Sequence, residues 1–449
     1  MSIVRELIES GASEKEIIAK TESYCPLLWS HLHVSASGDV LPCCIGQWKL
    51  PIGNINRQSF DEIWHGDTFK KLRKAMYNDK KVPHCSTCYR KEKSSGFSLR
   101  HDAINKFHDG SRDMVLHTQA DGTAKYATPI YLDIRFSNIC NMACRMCGHF
   151  SSSKWFADAK KLATENEIYD YTAGPDKHTA IIHGVEDSMS LLNRLDEYLP
   201  YVQEIYFAGG EPLFMEEHYT LLNRMIELGL TDTHIRYSTN LSIMKYKKTR
   251  VVDIWKNFEN VFCAGSIDTY GARAENIRSE TKWDVIEANM AMLHKEVPHV
   301  KIGIAPTMQI MNAYTVCELQ QDWIERGYVD KNNIFWNILQ MPQFYNLQIM
   351  PKHMKEEVKQ IWLDHIDWLG QTDGGAVHDT IKTTIAWMED GEEDAKLLTK
   401  LCNQSQELDK LRGEDTRSTF PELNYIWEKY WNDNTDNSTQ HKLEMSATS

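Results

Sequence analysis

Three cysteines at positions 140, 144 and 147 constrain this 449-residue chain more than any other feature. They stand in the segment SNICNMACRMCGHF with the spacing CxxxCxxC, which a chain of this cysteine content would show by chance about 0.007 times. A closed [4Fe–4S] cluster takes four thiolates, so three cysteines leave one iron open to another ligand. The spacing therefore predicts a [4Fe–4S] site with a free coordination position, in preference to three packed thiols or a zinc site.

Composition excludes several other classes of protein. The chain has 63 acidic and 50 basic residues and a net charge of -13, which argues against non-specific binding to nucleic acid or to anionic membranes. No apolar run approaches the length that a bilayer requires, and the N-terminus MSIVRELIESGASEKEIIAK is too charged for a signal peptide. Eleven cysteines, an odd number in a large chain, do not suggest a disulfide scaffold. We therefore expect a cytoplasmic protein with no membrane or nucleic-acid partner.

The order of hydrophobic segments predicts an α/β architecture. Short apolar strands alternate with helix-like segments, and the candidate strands lie at 129–136, 204–210, 234–240, 260–268, 300–308 and 333–339. Six such alternations indicate a mainly parallel sheet with helices outside. We expect an N-terminal helix (1–24), a small cluster-binding domain (25–100), a polar linker (101–127), the α/β domain (128–345), a helical C-terminal region (346–430) and a disordered tail (431–449).

The triplet, in the loop after the first strand of the α/β domain, resembles the signature of the radical S-adenosylmethionine (SAM) enzymes. The resemblance implies a partial (β/α)6 TIM-type barrel whose open iron chelates the amino and carboxylate groups of SAM. In that family, reductive cleavage of SAM gives a 5′-deoxyadenosyl radical, which abstracts a hydrogen atom from the substrate. The electron comes from a flavodoxin- or ferredoxin-type donor. Where the family usually has an aromatic residue, before the last cysteine, this chain has Met146.

Further motifs are similar to those that hold SAM in the family. The segment YFAGGEPLF resembles its GGEP motif, in which glycines allow close approach and a glutamate accepts from the ammonium group. Polar residues at the ends of the third and fourth strands stand where the family contacts ribose and carboxylate, although turns and helix caps use the same residue types. The resemblance implies SAM contacts from Met146, Gly209, Gly210, Glu211, Pro212, Ser238, Asn240, Ser266, Asp268 and Arg278.

A second cysteine group precedes the barrel. Its pattern C-x12-G-x4-C followed by CxxC resembles the auxiliary-cluster domain called SPASM, or its shortened form, twitch, and implies four ligands: Cys25, Cys43, Cys85 and Cys88. A hairpin turning at 37–39 would bring Cys25 and Cys43 to one point. Four thiolates suit a second [4Fe–4S] cluster, but they also suit structural zinc. The neighbouring Cys44 leaves the choice of ligand open, and the family usually places this domain after the barrel.

The remaining signals are weaker. Cys263, Cys317 and Cys402 have no metal spacing, and the histidines of HLH at 31–33 show no ligand spacing either, so we interpret both groups as structural. Relatives with auxiliary clusters often modify peptides or proteins, which favours a peptide or protein side chain as substrate. A small metabolite, nucleotide or sugar is the alternative, and a non-enzymatic iron–sulfur or zinc protein is a remote one.

Overall fold

The computed structural model describes residues 2–95, 98–165, 179–185 and 188–431. Eight strands form one central sheet, and six short strands pair beside it. The strands are β1 His31–Val34, β2 Asp39–Leu41, β3 Gly53–Asn54, β4 Tyr131–Ile134, β5 Ala143–Cys144, β6 Glu204–Phe207, β7 His234–Thr239, β8 Lys245–Tyr246, β9 Thr249–Arg250, β10 Val261–Gly265, β11 Arg278–Ser279, β12 Lys301–Ile304, β13 Thr307–Met308 and β14 Asn337–Ile338.

Helices surround this sheet and form the C-terminal region. Those before and within the barrel are α1 Ile3–Glu9, α2 Glu14–Lys20, α3 Leu27–Ser30, α4 Phe60–Trp64, α5 Asp67–Tyr77, α6 Ser86–Ser95, α7 Leu99–Leu116, α8 Trp155–Glu165, α9 Ser188–Leu195, α10 Glu216–Glu227, α11 Val251–Trp255, α12 Gly271–Ile277, α13 Trp283–Glu296 and α14 Val316–Glu325. Those after it are α15 Lys352–Leu369, α16 Ala376–Glu389, α17 Ala395–Arg412, α18 Thr416–Thr419 and α19 Asn424–Tyr430. None of the helices in the described part of the chain is long and apolar enough to cross a bilayer.

The predicted partial barrel is confirmed. Its parallel strands lie in the order β12-β10-β7-β6-β4, and each is followed by helical segments. The sixth predicted strand, 333–339, contributes an isolated parallel bridge between Ile304 and Ile334 and the short pairing of β14 with β13. Helices therefore alternate with strands as the apolar periodicity predicts.

The two faces of the sheet differ in polarity because successive side chains of a strand point to opposite sides. One face packs against the surrounding helices, such as α10 and α13, through buried side chains including Leu132, Ile134, Ile205, Phe207 and Ile235. We call the opposite face the polar face; it carries His31, His33, Tyr131, Asp133, Arg135, Glu204, Tyr206, Arg236 and Ser238. In a partial barrel this second face lines the interior.

The N-terminal hairpin extends the barrel sheet. Strand β1 pairs in parallel with β4, from His31 opposite Tyr131 to Val34 opposite Ile134. On its other side β1 pairs antiparallel with β2, which pairs with β3. The cysteine-rich N-terminal region and the barrel therefore share one continuous sheet.

The predicted linker at 101–127 is wrong in its first half, because residues up to 116 belong to helix α7. This helix buries Ile104, Phe107 and Val115, and its many charged residues obscured the apolar periodicity in the sequence. The predicted single N-terminal helix over 1–24 is two helices, α1 and α2, separated by a turn in which Gly11 has a φ of 72°. Ser13 then begins α2 with a capping box to Glu16.

The helical prediction for the C-terminal region is confirmed by α15 to α19. These helices build a second apolar core, separate from the core beneath the sheet, around large side chains such as Trp362 and Trp427. Of the predicted disordered tail, residues 432–449 lie outside the described part of the chain.

Candidate cluster and cofactor sites

The three cysteines of the triplet lie together in the loop that follows β4. Cys140 and Cys144 are buried, Cys147 is partly buried, and the three belong to one small apolar cluster. The backbone N–H of Cys147 donates to the Cys144 carbonyl oxygen at 2.9 Å. The indole Nε1 of Trp155 donates to the same carbonyl at 2.8 Å, and the short strand β5 pairs with β11. These backbone contacts gather the three thiols that the spacing predicts as cluster ligands.

The surroundings favour an anionic sulfur at Cys144. A hydrogen bond from the Cys147 thiol lowers the pKa of Cys144, and the nearby Arg278 guanidinium lowers it further, against the effect of burial. Arg278 donates from a terminal nitrogen to the Cys144 Sγ at 3.7 Å. Burial raises the pKa of Cys140 to about 12, with contributions from Cys144 and Glu211. Because metals bind the thiolate, binding here releases protons.

The two glycines of the GGEP segment pack against the chain just before Cys140. Gly209 and Gly210 have φ values of 82° and 56°, which favour glycine. A methyl group at Gly210 would lie 2.2 Å from the Ile139 carbonyl oxygen. The N–H of Glu211 donates to that same oxygen at 2.8 Å. The motif is therefore fixed directly beside the cysteine loop.

The buried carboxylate of Glu211 accepts hydrogen bonds from three groups. It accepts from the Thr239 hydroxyl at 2.7 Å, the Asn240 N–H at 2.8 Å and the Leu213 N–H at 3.1 Å. Burial nevertheless raises the pKa of Glu211 to about 7, although these donors lower it. An approaching cation such as an ammonium group would favour the ionised form.

A cavity beside Cys144 brings together three of the other predicted SAM contacts, Asn240, Asp268 and Arg278; its wall also includes Met142, Ile267, Ala274, Thr281, Trp283 and Ile286. Asp268 holds Arg278 in a two-pronged ion pair, with N–O distances of 2.8 and 3.2 Å. Asp268 also accepts from the Thr307 N–H at 2.7 Å, and Asn240 donates to the Asn141 side chain at 2.9 Å. These contacts fix polar groups around the space next to the cysteine loop.

The four remaining predicted contacts also lie outside this cavity wall. Ser238 is bonded to the Tyr206 hydroxyl at 2.7 Å on the polar face, and the Ser266 N–H donates to the Thr239 carbonyl at 2.8 Å. Met146 is partly buried against the apolar core of the C-terminal region. Pro212 is buried and begins a short 3-10 turn. Their roles toward SAM stay predictions.

Sequence reasoning missed the support beneath the cysteine loop. Arg145, inside the CxxxCxxC segment, has a fully buried side chain that pairs with Asp409 at 2.5 Å and with Glu414. Its backbone N–H donates to the Ile277 carbonyl at 2.8 Å. In the sequence, only the position of this arginine among the three cysteines hinted at the support. Its acidic partners could not be identified, because they lie more than 260 residues away.

The predicted auxiliary ligands also meet at one cavity. Cys25, Cys43, Cys85 and Cys88 line it, together with Ser23, Leu27, Leu28, Pro42, Ile45, Gly46, Met76, Leu99 and Arg100. Strands β1 and β2 form the predicted hairpin, in which Gly38 has a φ of 81°. Cys44 is exposed, does not line the cavity, and interacts electrostatically with Asp133 and Arg135 instead. The structure thus separates Cys43 from Cys44.

The described thiols lie farther apart than a bound zinc would hold them. A tetrahedral zinc site with Zn–S bonds of about 2.3 Å holds its sulfurs about 3.8 Å apart. In the described part of the chain, the one group of three or more ligand atoms within 4.8 Å of one another is that of His31, His33 and Asp133, so neither cysteine set is that compact. The Ser98 hydroxyl and the Arg100 N–H lie beside the Cys88 thiol and lower its pKa against the effect of burial. Such donors tune the potential of an iron–sulfur cluster.

Two family models match the two regions that carry these cysteines. Residues 25–89 match SPASM, described as an iron–sulfur cluster-binding domain, and residues 134–306 match the Radical SAM superfamily. The chain therefore contains a radical SAM domain, the domain of a superfamily of enzymes, with a SPASM domain ahead of it. The cofactors of these domains are a [4Fe–4S] cluster with SAM, and auxiliary iron–sulfur clusters.

Among solved structures, the chain is similar to Streptococcus suis SuiB bound to the precursor peptide SuiA. The identity is 14%, the match covers 67% of this chain and 63% of that chain, and the TM-score is 0.38. The chain therefore spans less than two thirds of the length of this neighbour. No curated protein sequence matches the chain.

Proposed function

We propose that this enzyme cleaves SAM reductively at a [4Fe–4S] cluster held by Cys140, Cys144 and Cys147, and that hydrogen is then abstracted from a peptide or protein side chain. The observation that carries the proposal is the convergence of the three thiols with Glu211 and the Arg278 cavity. When bound, the cluster and SAM supply the electron transfer and the radical chemistry. The residues of the chain bind, orient and shelter them.

Glu211 would take the ammonium group of SAM, because it is a buried carboxylate near Cys140 whose ionised form an adjacent cation would stabilise. Arg278 is held by Asp268 beside Cys144, where its positive charge offsets the negative charge of the thiolates. Asn240 is positioned through its hydrogen bond to Asn141. Together these residues would hold SAM in one orientation.

The polar face of the sheet would hold the substrate. Arg135 and Arg236 keep 30% and 40% of their side chains exposed there, beside the Tyr206 hydroxyl. Such groups suit the amide and carboxylate groups of a peptide. The resemblance to relatives with auxiliary clusters supports the same substrate class, and the auxiliary site would exchange an electron with the substrate. A flavodoxin or ferredoxin in the cytoplasm is the electron donor of this proposal.

The first test is cleavage of SAM without substrate. Anaerobically reconstituted protein, reduced with dithionite, should form 5′-deoxyadenosine and methionine in equal amounts, measured by mass spectrometry. The triple variant Cys140→Ala/Cys144→Ala/Cys147→Ala should form neither. The matched control Cys402→Ala removes a buried thiol without metal spacing and should retain cleavage. Failure of the wild type to cleave SAM would overturn the proposal.

A second test separates the substrate classes. Peptide and small-molecule fractions of fully deuterated cells would be offered in parallel, and deuterium would be measured in the 5′-deoxyadenosine. Transfer from the peptide fraction supports a peptide or protein substrate. Transfer from the small-molecule fraction alone would replace it with a metabolite.

A further inference from the structure

Two histidines of strand β1 face the same side of the sheet. His31 and His33 are two residues apart, so both project from the polar face, and each is 2% exposed. Their parallel partners on β4 are Tyr131 and Asp133. In the sequence only the two histidines of HLH stand together, because Asp133 lies one hundred positions after His33.

Both imidazoles are fixed through the same ring nitrogen. The Nδ1 of His33 lies 2.8 Å from the Asp133 Oδ2, and the Nδ1 of His31 lies 3.0 Å from the Tyr131 carbonyl oxygen. Histidines that bind metals usually donate one ring nitrogen to a carbonyl or carboxylate and bind through the other, so His31 would bind through Nε2. The Nε2 of His33 points away from Asp133, so an ion held by both residues would replace the proton between the His33 Nδ1 and the carboxylate. Within the described ranges, no hydrogen bond to the Nε2 of His31 is found.

One carboxylate oxygen of Asp133 accepts no hydrogen bond in the described structure. Its side chain is fully buried, Oδ2 is bonded to His33, and Oδ1 has no hydrogen bond in the described structure. The nearest cationic atom is the Nε of Arg135, at 3.5 Å. A buried carboxylate oxygen without a hydrogen-bond donor lowers the stability of the fold unless another group or an ion binds it.

We infer that His31, His33 and Asp133 form a binding site for a divalent transition metal, separate from both cysteine sites. One ligand atom from each residue lies within 4.8 Å of the other two, and all three residues are buried. Two imidazoles and a carboxylate suit zinc and the neighbouring divalent metals. Three protein ligands leave one position open on the metal, and here the site lies on the polar face of the barrel.

The competing explanation needs no metal. In it, Asp133 pairs with His33 and Arg135 as a buried structural network. The two explanations differ in their prediction for Arg135, because its guanidinium would stabilise that network but compete with a metal for Asp133.

Zinc binding to the cluster-loaded protein tests the site. Equilibrium dialysis should show about one zinc per chain whose affinity falls at least about tenfold in His31→Gln, His33→Gln and Asp133→Asn. His365→Gln, which changes a buried histidine of the C-terminal core, should bind zinc as the wild type does. Iron content should stay the same in all these variants, which shows that the clusters and the fold persist.

The zinc affinity of Arg135→Gln distinguishes the metal site from the structural network. This variant should bind zinc more tightly than the wild type, because a competing positive charge is removed from Asp133. Absence of zinc binding by the wild type, or binding that survives in both histidine variants, would overturn the site. Weaker binding in Arg135→Gln would also overturn it, since that result fits a structural network alone.

Discussion

Glu211 gives the proposed SAM site a pH dependence. Burial raises its pKa to about 7, so the carboxylate protonates as the pH falls through neutrality. An ammonium group binds the ionised form, and we therefore expect SAM to bind about tenfold more weakly at pH 6 than at pH 8. Glu211→Gln should bind SAM weakly at both pH values, and the exposed Glu216→Gln should behave as the wild type. Equilibrium binding of SAM measures this, and a pH-independent affinity in the wild type would contradict it.

Arg278 should set the potential of the catalytic cluster. Its guanidinium donates to the Cys144 sulfur and carries a positive charge that stabilises the reduced, more negative cluster. Arg278→Gln should therefore shift the reduction potential to a more negative value, measured by redox titration followed by electron paramagnetic resonance. Arg273→Gln is the matched control, because Arg273 pairs with Glu422. A shift to a more positive potential, or an equal shift in the control, would contradict this role.

The β1–β2 hairpin depends on Gly38 for two separate reasons. Gly38 has a φ of 81°, and a methyl group there would lie 2.5 Å from the Asn56 Nδ2 and 2.8 Å from the Gly184 carbonyl oxygen. Gly11 has a similar φ of 72° but nothing within 4 Å. We expect Gly38→Ala to lower the free energy of unfolding by about 1–3 kcal/mol and to lose auxiliary iron. Gly11→Ala should cost less and keep its iron.

Urea unfolding and iron analysis of the two alanine variants compare these effects. Equal losses of stability would show that the backbone conformation alone matters. In that case the close contacts of Gly38 would not position Cys43.

The elements that the sequence predicts well are those with a local signal. Apolar alternation located the parallel strands, and cysteine spacing located both clusters of thiols. Helix α7 was missed because its buried face includes Arg100, His101 and His108, so polarity hides the periodicity. Arg100 is tolerated inside because it pairs with Glu92 at 2.8 Å. A buried ion pair of this kind has no signature in composition.

At the scale of the whole molecule, the long-range pairings were the unpredictable part. The parallel pairing of β1 with β4 joins residues one hundred positions apart, and it makes the auxiliary region an extension of the barrel sheet. The sequence of neither strand identifies its partner, since any strand with the same alternation of apolar and polar residues could pair there. The same pairing creates the His31–His33–Asp133 group, which therefore could not be recognised from HLH alone.

The C-terminal region supports the cysteine loop through Arg145. This residue lies between Cys144 and Met146, and its buried guanidinium pairs with Asp409 and Glu414 from the end of α17 and the turn after it. Arg145→Met would leave two carboxylates without their cation, which for a buried pair costs about 3–5 kcal/mol. Because the neighbouring cysteines depend on this loop, reconstituted iron should fall from about eight to about four per chain.

Arg273→Met is the matched control for this prediction. Arg273 also joins the barrel to the C-terminal region, through Glu422, but it lies outside the cysteine loop. It should lower the thermal midpoint without loss of iron, because it weakens the docking of the C-terminal helices and leaves the cysteines in place. Iron analysis and thermal unfolding of the two variants measure both effects. Equal iron in the two would mean that the C-terminal region stabilises the barrel as a whole and has no specific role in holding the cluster loop.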